Sequence, residues 1–444
     1  MAFSRRWVLP LVAAVVAGAA VLMGGSVNVP PAQTTTEPVI ETREQLACPS
    51  LDSDLLTQQL LVASMDRDVT VRSLDSAAEA LSGQQLKLDD PGAKRVLGWR
   101  GDRFGASAWA WAETGSERGL SAVSCVAPDS VGWITGVLSD ADNVAELLLE
   151  NLDQQDVTVD LTFHTFAGEQ VPQGSRGVIV PAGAIYTVPL SQVLEQDTPF
   201  TVEIQASGRI AGFVRQHYFK GVTALGAEWA QPAAASEALI IPGIPAGASA
   251  YTLVVTNTNE KMVSADIRLL TADGALDLVG AESVDLPAGS TRYLSLPTDF
   301  ADDTAALSLS AEFPITAAVL ITGAGKQPDR AIAVAAPVLP APATAFTAQG
   351  ESVLSFANPT DAAAIVSLEH FGAGEVPDEV VVPATGTASV PLPIDTTVSV
   401  DVGATKVAVA VLTTADTGFS VIPLVSQAPP TAAEPVTYNP RTAS

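Results

Sequence analysis

The sequence predicts an all-β protein: tandem antiparallel β-sandwich (Ig-like) modules behind an N-terminal membrane anchor. Three observations predict it. An Asn ends an apolar run three times, in LLLENL (Asn151), LVVTNT (Asn257) and LSFANP (Asn358). Six residues after each Asn a strict alternation begins: Val157, Val159, Leu161, Phe163; Val263, Ala265, Ile267, Leu269; and Ala364, Val366, Leu368, His370. A Pro-Ala turn followed by Gly then comes 29, 29 and 24 residues after the Asn, as VPAG (Val180–Gly183), LPAG (Leu286–Gly289) and VPATG (Val382–Gly386). Period-two alternation marks a half-buried strand. Markers that keep register at intervals of 106 and 101 residues mark a repeated module. A seven-bladed β-propeller is the alternative, since three and a half repeats of two four-stranded blades also fit.

The chain opens with MAFSRR and an apolar run, Trp7–Met23, of 17 residues. Residues 1–26 are expected to be a single-pass transmembrane anchor, with the N-terminus in the cytoplasm because the positive charge precedes the span. A cleaved signal is the alternative, with Gly24–Ser26 supplying small residues. Residues 27–47, rich in Pro, Thr and Glu, read as a linker. Residues 48–128 form a divergent β unit bounded by Cys48 and Cys125. Its segments WAWAE (Trp109–Glu113) and GLSAVSC (Gly119–Cys125) read as a hairpin. In an exported chain two thiols most simply form one disulfide, here closing a loop of 78 residues and contributing roughly 4–5 kcal/mol.

Three β repeats follow, over 129–226, 227–328 and 329–427. Each is expected to end in a strand pair, such as FTVEIQASGRIAGFV (Phe200–Val214) or LSLSAEFPITAAVLI (Leu307–Ile321). The Asn fits a turn residue that caps its own backbone. Residues 428–444 read as a disordered tail.

Composition limits the partners. Net charge is −27 and the isoelectric point near 4.2, so phosphate backbones are repelled and nucleic acid is not expected. Charged residues make up only 16%, against about 25% in ordinary globular chains. That balance suits an exported β protein.

The segments NPTDAAAIVSLEHF (Asn358–Phe371), VPAGAIYTVPL (Val180–Leu190), RQHYF (Arg215–Phe219), GAEWAQP (Gly226–Pro232) and CVAPDSVGW (Cys125–Trp133) resemble a recurrent module of exported actinobacterial proteins, a domain of unknown function. The resemblance covers roughly residues 48–426. It implies an anchored, extracytoplasmic, repeat-built β protein associated with envelope glycan-synthesis enzymes. It carries no catalytic residues.

No catalytic, cofactor or metal site emerges from the motifs. There is no G-x-S-x-G, and His164, His217 and His370 all fall on strands. SDADN (Ser139–Asn143) and TDFADD (Thr298–Asp303) lack the full calcium-loop pattern and read as turns. TGAGK (Thr322–Lys326) lacks the helix and hydroxyl of a phosphate loop. Trp109 and Trp111, two apart on one strand face, are core or, if exposed, a platform for stacking sugar rings. The expected function is a non-catalytic scaffold or adaptor, held in the cell membrane, that binds another envelope protein or a cell-wall glycan. The alternative is an envelope-polysaccharide enzyme with a carboxylate pair that no motif reveals.

Overall fold

In the computed structural model, placement is described for residues 43–425, except 52, 54, 75–79, 100, 300–303, 326, 327, 337–344, 348, 349 and 373. These residues are all-β; their only helix is a 3-10 turn, Leu190–Gln192. None of their helices is long and apolar enough to cross a membrane. The expected anchor, Trp7–Met23, and the tail lie outside the described residues.

The alternating segments form strands Val157–Thr165, Val263–Thr271 and Ala364–Phe371, and their alternate residues are buried. His370 breaks the pattern and is half-buried. In the second module these inward residues (Val159, Leu161, Phe163) meet Leu147, Leu149 and Val214 from a second sheet in one core. The first and fourth modules each have two four-stranded antiparallel sheets, and in the second and third a shared long strand joins the two faces into one eight-stranded sheet. The first module is complete as well, with Arg43–Cys48, Lys94–Trp99, Val69–Ser73 and Leu81–Gly83 in one sheet. Gln85–Asp89, Thr57–Ser64, Phe104–Ala112 and Gly119–Ser124 form the other. Cys48 and Cys125 are disulfide-bonded, their Cα atoms 4.6 Å apart.

The expected closing strand pairs are instead single strands in two modules. Gln196–Lys220 and Thr304–Thr322 each run through both sheets of their module. The first half of Gln196–Lys220 pairs with Val157–Thr165 and the second half with Asn143–Glu150. Ser207-Gly208 therefore bends a strand rather than reversing it. In the fourth module the same path is broken at Gly403, whose φ of 57° suits glycine, into Thr397–Asp401 and Ala408–Ala415. The true closing hairpin uses the next strand: Thr223–Ala230 pairs with Val214–Lys220, and Arg330–Val334 with Ala318–Thr322.

The modules do not trail in tandem, and there are not seven blades. Four modules close into a propeller-like ring. The last strand of each (Gly119–Ser124, Thr223–Ala230, Arg330–Val334 and Gly418–Pro423) packs on the next, and the fourth packs on the first. The cores run on around the ring. The fourth module's core takes in Leu61, Trp109 and Leu120 of the first, and the third's takes in Leu412 and Val421 of the fourth. The second's takes in Ile332 and Val334 of the third, while Val123 and Ala108 of the first pack with Phe213 and Trp229 of the second. Joining cores in this way buries apolar surface at roughly 25 cal/mol per Å², which separate tandem modules would leave in water.

The repeated Asn and the repeated Pro-Ala turn prove to be one device. The Asn257 amide donates to the carbonyls of Lys261 (2.6 Å), Leu286 (2.9 Å) and Pro287 (3.1 Å), and its Oδ1 accepts from Asn259 N–H (2.9 Å). Asn358 does the same with Ala362, Val382 and Pro383, and Asn151 with Gln155 and Val180. All three are fully buried. The Asn caps its own turn, as the sequence suggests, and also ties that turn to the Pro-Ala corner. In the first module Ser64 stands at the corresponding strand end, donating to Arg67 O at 2.7 Å.

Candidate functional site

The ring axis is polar, although its four strands are mostly small or apolar. Three of them carry a glycine at the axis: Gly119 and Gly418 begin their strands, and Gly226 lies three residues into Thr223–Ala230. At the start of the third stands Asp329, directly before Arg330–Val334. Its carboxyl reaches across the axis into the space the glycines leave. A Cβ on Gly119 or Gly226 would lie 2.5 or 2.3 Å from Asp329 Oδ1, and one on Gly418 would lie 1.7 Å from Oδ2. Oδ2 accepts N–H bonds from Phe419 (3.1 Å) and Leu120 (3.4 Å), in the fourth and first modules. Oδ1 is buried without a hydrogen-bond partner. Burial pushes the carboxyl up to about 7, although Phe419, Arg330 and Leu120 N–H groups and the Arg118 charge pull it down.

Glu228 is the second axial acid. It is fully buried, accepts from Ser420 Oγ (2.9 Å) and Trp229 N–H (2.7 Å), and Ser420 Oγ accepts from Ala122 N–H (3.0 Å). Burial pushes Glu228 well above the ordinary carboxylate range, and the charge of Asp329 adds to the rise. Beside them Arg215, 1% exposed, donates to Glu117 Oε2 (2.7 Å) and Ser121 Oγ (2.6 Å). His217 Nε2 lies 2.7 Å from Glu117 Oε1. Burial raises Glu117, but the His217 and Arg215 contacts outweigh it and hold the carboxyl at about 2. Arg330 bonds Asn143 Oδ1 (3.3 Å) and lies over the Tyr218 ring at 4.6 Å.

A cleft of about 330 Å³ opens beside Asp329, lined by Arg118, Pro245, Ala248, Asp416, Thr417 and Phe419. The Ala415–Gly418 turn separates it from a second cleft of about 600 Å³, lined by Leu56, Trp111 and Glu113.

A family model matches residues 100–402. The chain belongs to that family, one of unknown function (DUF5719). No curated protein matches the chain. The matched span holds all three Asn corners and Arg215, Glu228 and Asp329, and stops before Phe419 and Ser420, which complete the axis.

The residues singled out by sequence lie elsewhere. Trp109 is 1% exposed, its ring 6.3 Å from Phe346 in the core shared by the first and fourth modules, so its faces meet protein rather than a sugar ring. Trp111 is half-buried on the rim of the second cleft. His164 is buried, with Nε2 2.9 Å from Glu203 and Nδ1 3.0 Å from Gly289 O across a module seam. In Ser139–Asn143, Asp140 accepts from Asn143 Nδ2 at 2.8 Å and from Asp142 N–H at 2.7 Å, as a turn residue does. Thr298–Asp303 falls largely outside the described residues. Among those described, no group of three or more His, Cys, Asp or Glu could hold a metal. Sequence reasoning passed over the axial acids because nothing local marks them. The one signal was the Asp of Asp329-Arg330, where the sister strands carry Gly119-Leu120, Gly226-Ala227 and Gly418-Phe419.

Proposed function

We propose that the protein is a non-catalytic adaptor of the cell envelope. In this reading Trp7–Met23 holds it in the cell membrane with the N-terminus in the cytoplasm. The ring then stands outside and binds another envelope protein or a cell-wall glycan. The observation that carries the reading is the use of the axial ionisable groups. Glu117, Arg215, Glu228 and Asp329 bond across module boundaries, and Glu228 and Asp329 Oδ1 are closed to solvent. Catalytic acids and bases have to reach substrate, whereas these groups hold blades together. The disulfide and the acidic composition support an oxidising, extracytoplasmic setting. The likeness of the repeats to exported actinobacterial modules supports the envelope assignment.

One observation favours the rival enzyme. Asp329 borders a cleft with its carboxyl held near 7, as a general acid would need at neutral pH. One experiment separates the two. The full chain serves as bait in crosslinked envelopes, and the same preparation is assayed on wall polymers. Reproducible capture of a membrane glycosyltransferase or a wall polymer that stays uncleaved is the expected result. Turnover of a wall polymer, lost in Asp329→Asn, would overturn the adaptor reading.

A further inference from the structure

The axis joins all four modules through two acids that no salt bridge among the described residues neutralises. Asp329 of the third module bonds the first and fourth; Glu228 of the second bonds the fourth, which in turn holds the first through Ser420. The charged groups around them come from every side. The first module supplies Glu117 and Arg118, the second Arg215, His217 and Tyr218, the third Arg330, and the fourth Asp416 on the cleft wall. Two of the three arginines are engaged elsewhere: Arg215 by Glu117 and Ser121, and Arg330 by Asn143 and the Tyr218 ring. Arg118 donates to Leu225 O at 3.0 Å and lies close enough to pull on Asp329.

We propose that the axis is a proton-operated latch: the ring closes when Asp329 and Glu228 hold protons between them and loosens when both are charged. Glu228 lies in the field of Asp329, so a charge on Asp329 makes a charge on Glu228 more costly. Oδ1 of Asp329 points into glycine backbone, where water cannot follow to solvate a charge. The sign follows from the direction of both shifts. A carboxyl raised in the folded state contributes stability that is full below its unfolded value and is lost as pH rises through the folded one. For Asp329 the window runs from its ordinary 3.8 up to about 7, and Glu228 moves the same way. Glu117 and Glu203 are shifted downward, so their contributions fail in acid, whereas Glu150, raised by burial to about 8, adds its own loss over this window and has to be removed to isolate the axis.

The test is calorimetry of the full chain in detergent at about pH 5.5 and about pH 8.5. The unfolding midpoint is expected to fall by about 4 °C or more at the higher pH, and Ala122 and Phe419 amides to exchange faster there after correction for intrinsic rates. In a Glu150→Leu background, which removes the other carboxyl that burial raises, the Asp329→Asn/Glu228→Gln double variant, or Asp329→Asn alone if the double does not fold, should lose most of that fall. A wild-type midpoint that is flat or rises with pH overturns the latch. So does a fall that survives unchanged in the variants made in that background.

Discussion

The Asn corners and the axis solve opposite problems. The corner is the same in three modules: a buried Asn bonds its own turn and the Pro-Ala turn, and all partners lie within one module. The axis has four equivalent positions and fills them differently, three with glycine and one with Asp329, whose partners lie in other modules. What folds a module is repeated along the chain. What joins modules appears where the repeat is broken, because one carboxyl fits on a shared axis and four would not.

The largest effect that would break this comparison is expected at the axis. Gly418→Ala should destabilise by more than about 4 kcal/mol, because its Cβ would meet Asp329 Oδ2 at 1.7 Å and Leu120 N at 2.8 Å. Thermal unfolding measures it, and a change below 1 kcal/mol would mean the ring is not closed there. At the corner, Asn257→Ala should cost about 2–4 kcal/mol, since it leaves the carbonyl of buried Leu286, and those of Pro287 and Lys261 in the turns it ties, without their donor. Asn358→Ala should match it in denaturant titrations if the corners are equivalent.

A third prediction concerns Glu150, fully buried opposite Ile185 and Ala211, where the first and second modules meet. Neither of its oxygens has a hydrogen-bond partner, and burial pushes its carboxyl up to about 8. Its drag on stability therefore begins above its ordinary 4.5 and grows as pH rises through about 8. Glu150→Leu should stabilise by about 2–3 kcal/mol near pH 7.5 and by little near pH 5; equal gains at both pH values would show that the carboxyl is not raised. The smallest effect is expected at Ser64→Ala, about 1 kcal/mol, because Ser64 makes one side-chain bond where the Asn residues make three or more.

Much of the fold was legible because its signals are local. Val157 to Phe163 and Val263 to Leu269 alternate because each strand buries one face, and the Asn and Pro-Ala markers keep register because they touch. The paired cysteines were legible from their number and setting. The long strands were not: Ser207-Gly208 looks like a turn, and only pairing with two different sheets shows that Gln196–Lys220 runs on. Closure into a ring was not legible either. Leu120, Val421 and Ile332 read as core residues of their own modules, and no periodicity tells that they also serve a neighbour's core. Trp109 illustrates the same limit, since its packing partner Phe346 lies in the last module. Glu228 and Asp329 were two acids among 49, distinguished by burial at a shared axis.

The account stands or falls on the axial contact, and a double-mutant cycle between Gly418 and Asp329 tests it most directly. Asp329→Gly removes the carboxyl that a Cβ at 418 would strike at 1.7 Å and leaves the Leu120 N contact at 2.8 Å to be accommodated. The account predicts that Gly418→Ala costs at least twice as much in the wild-type background as in Asp329→Gly, a coupling of about 2 kcal/mol or more. Additive effects of the two substitutions would contradict it, and the four modules would then have to be held together by something other than the axis.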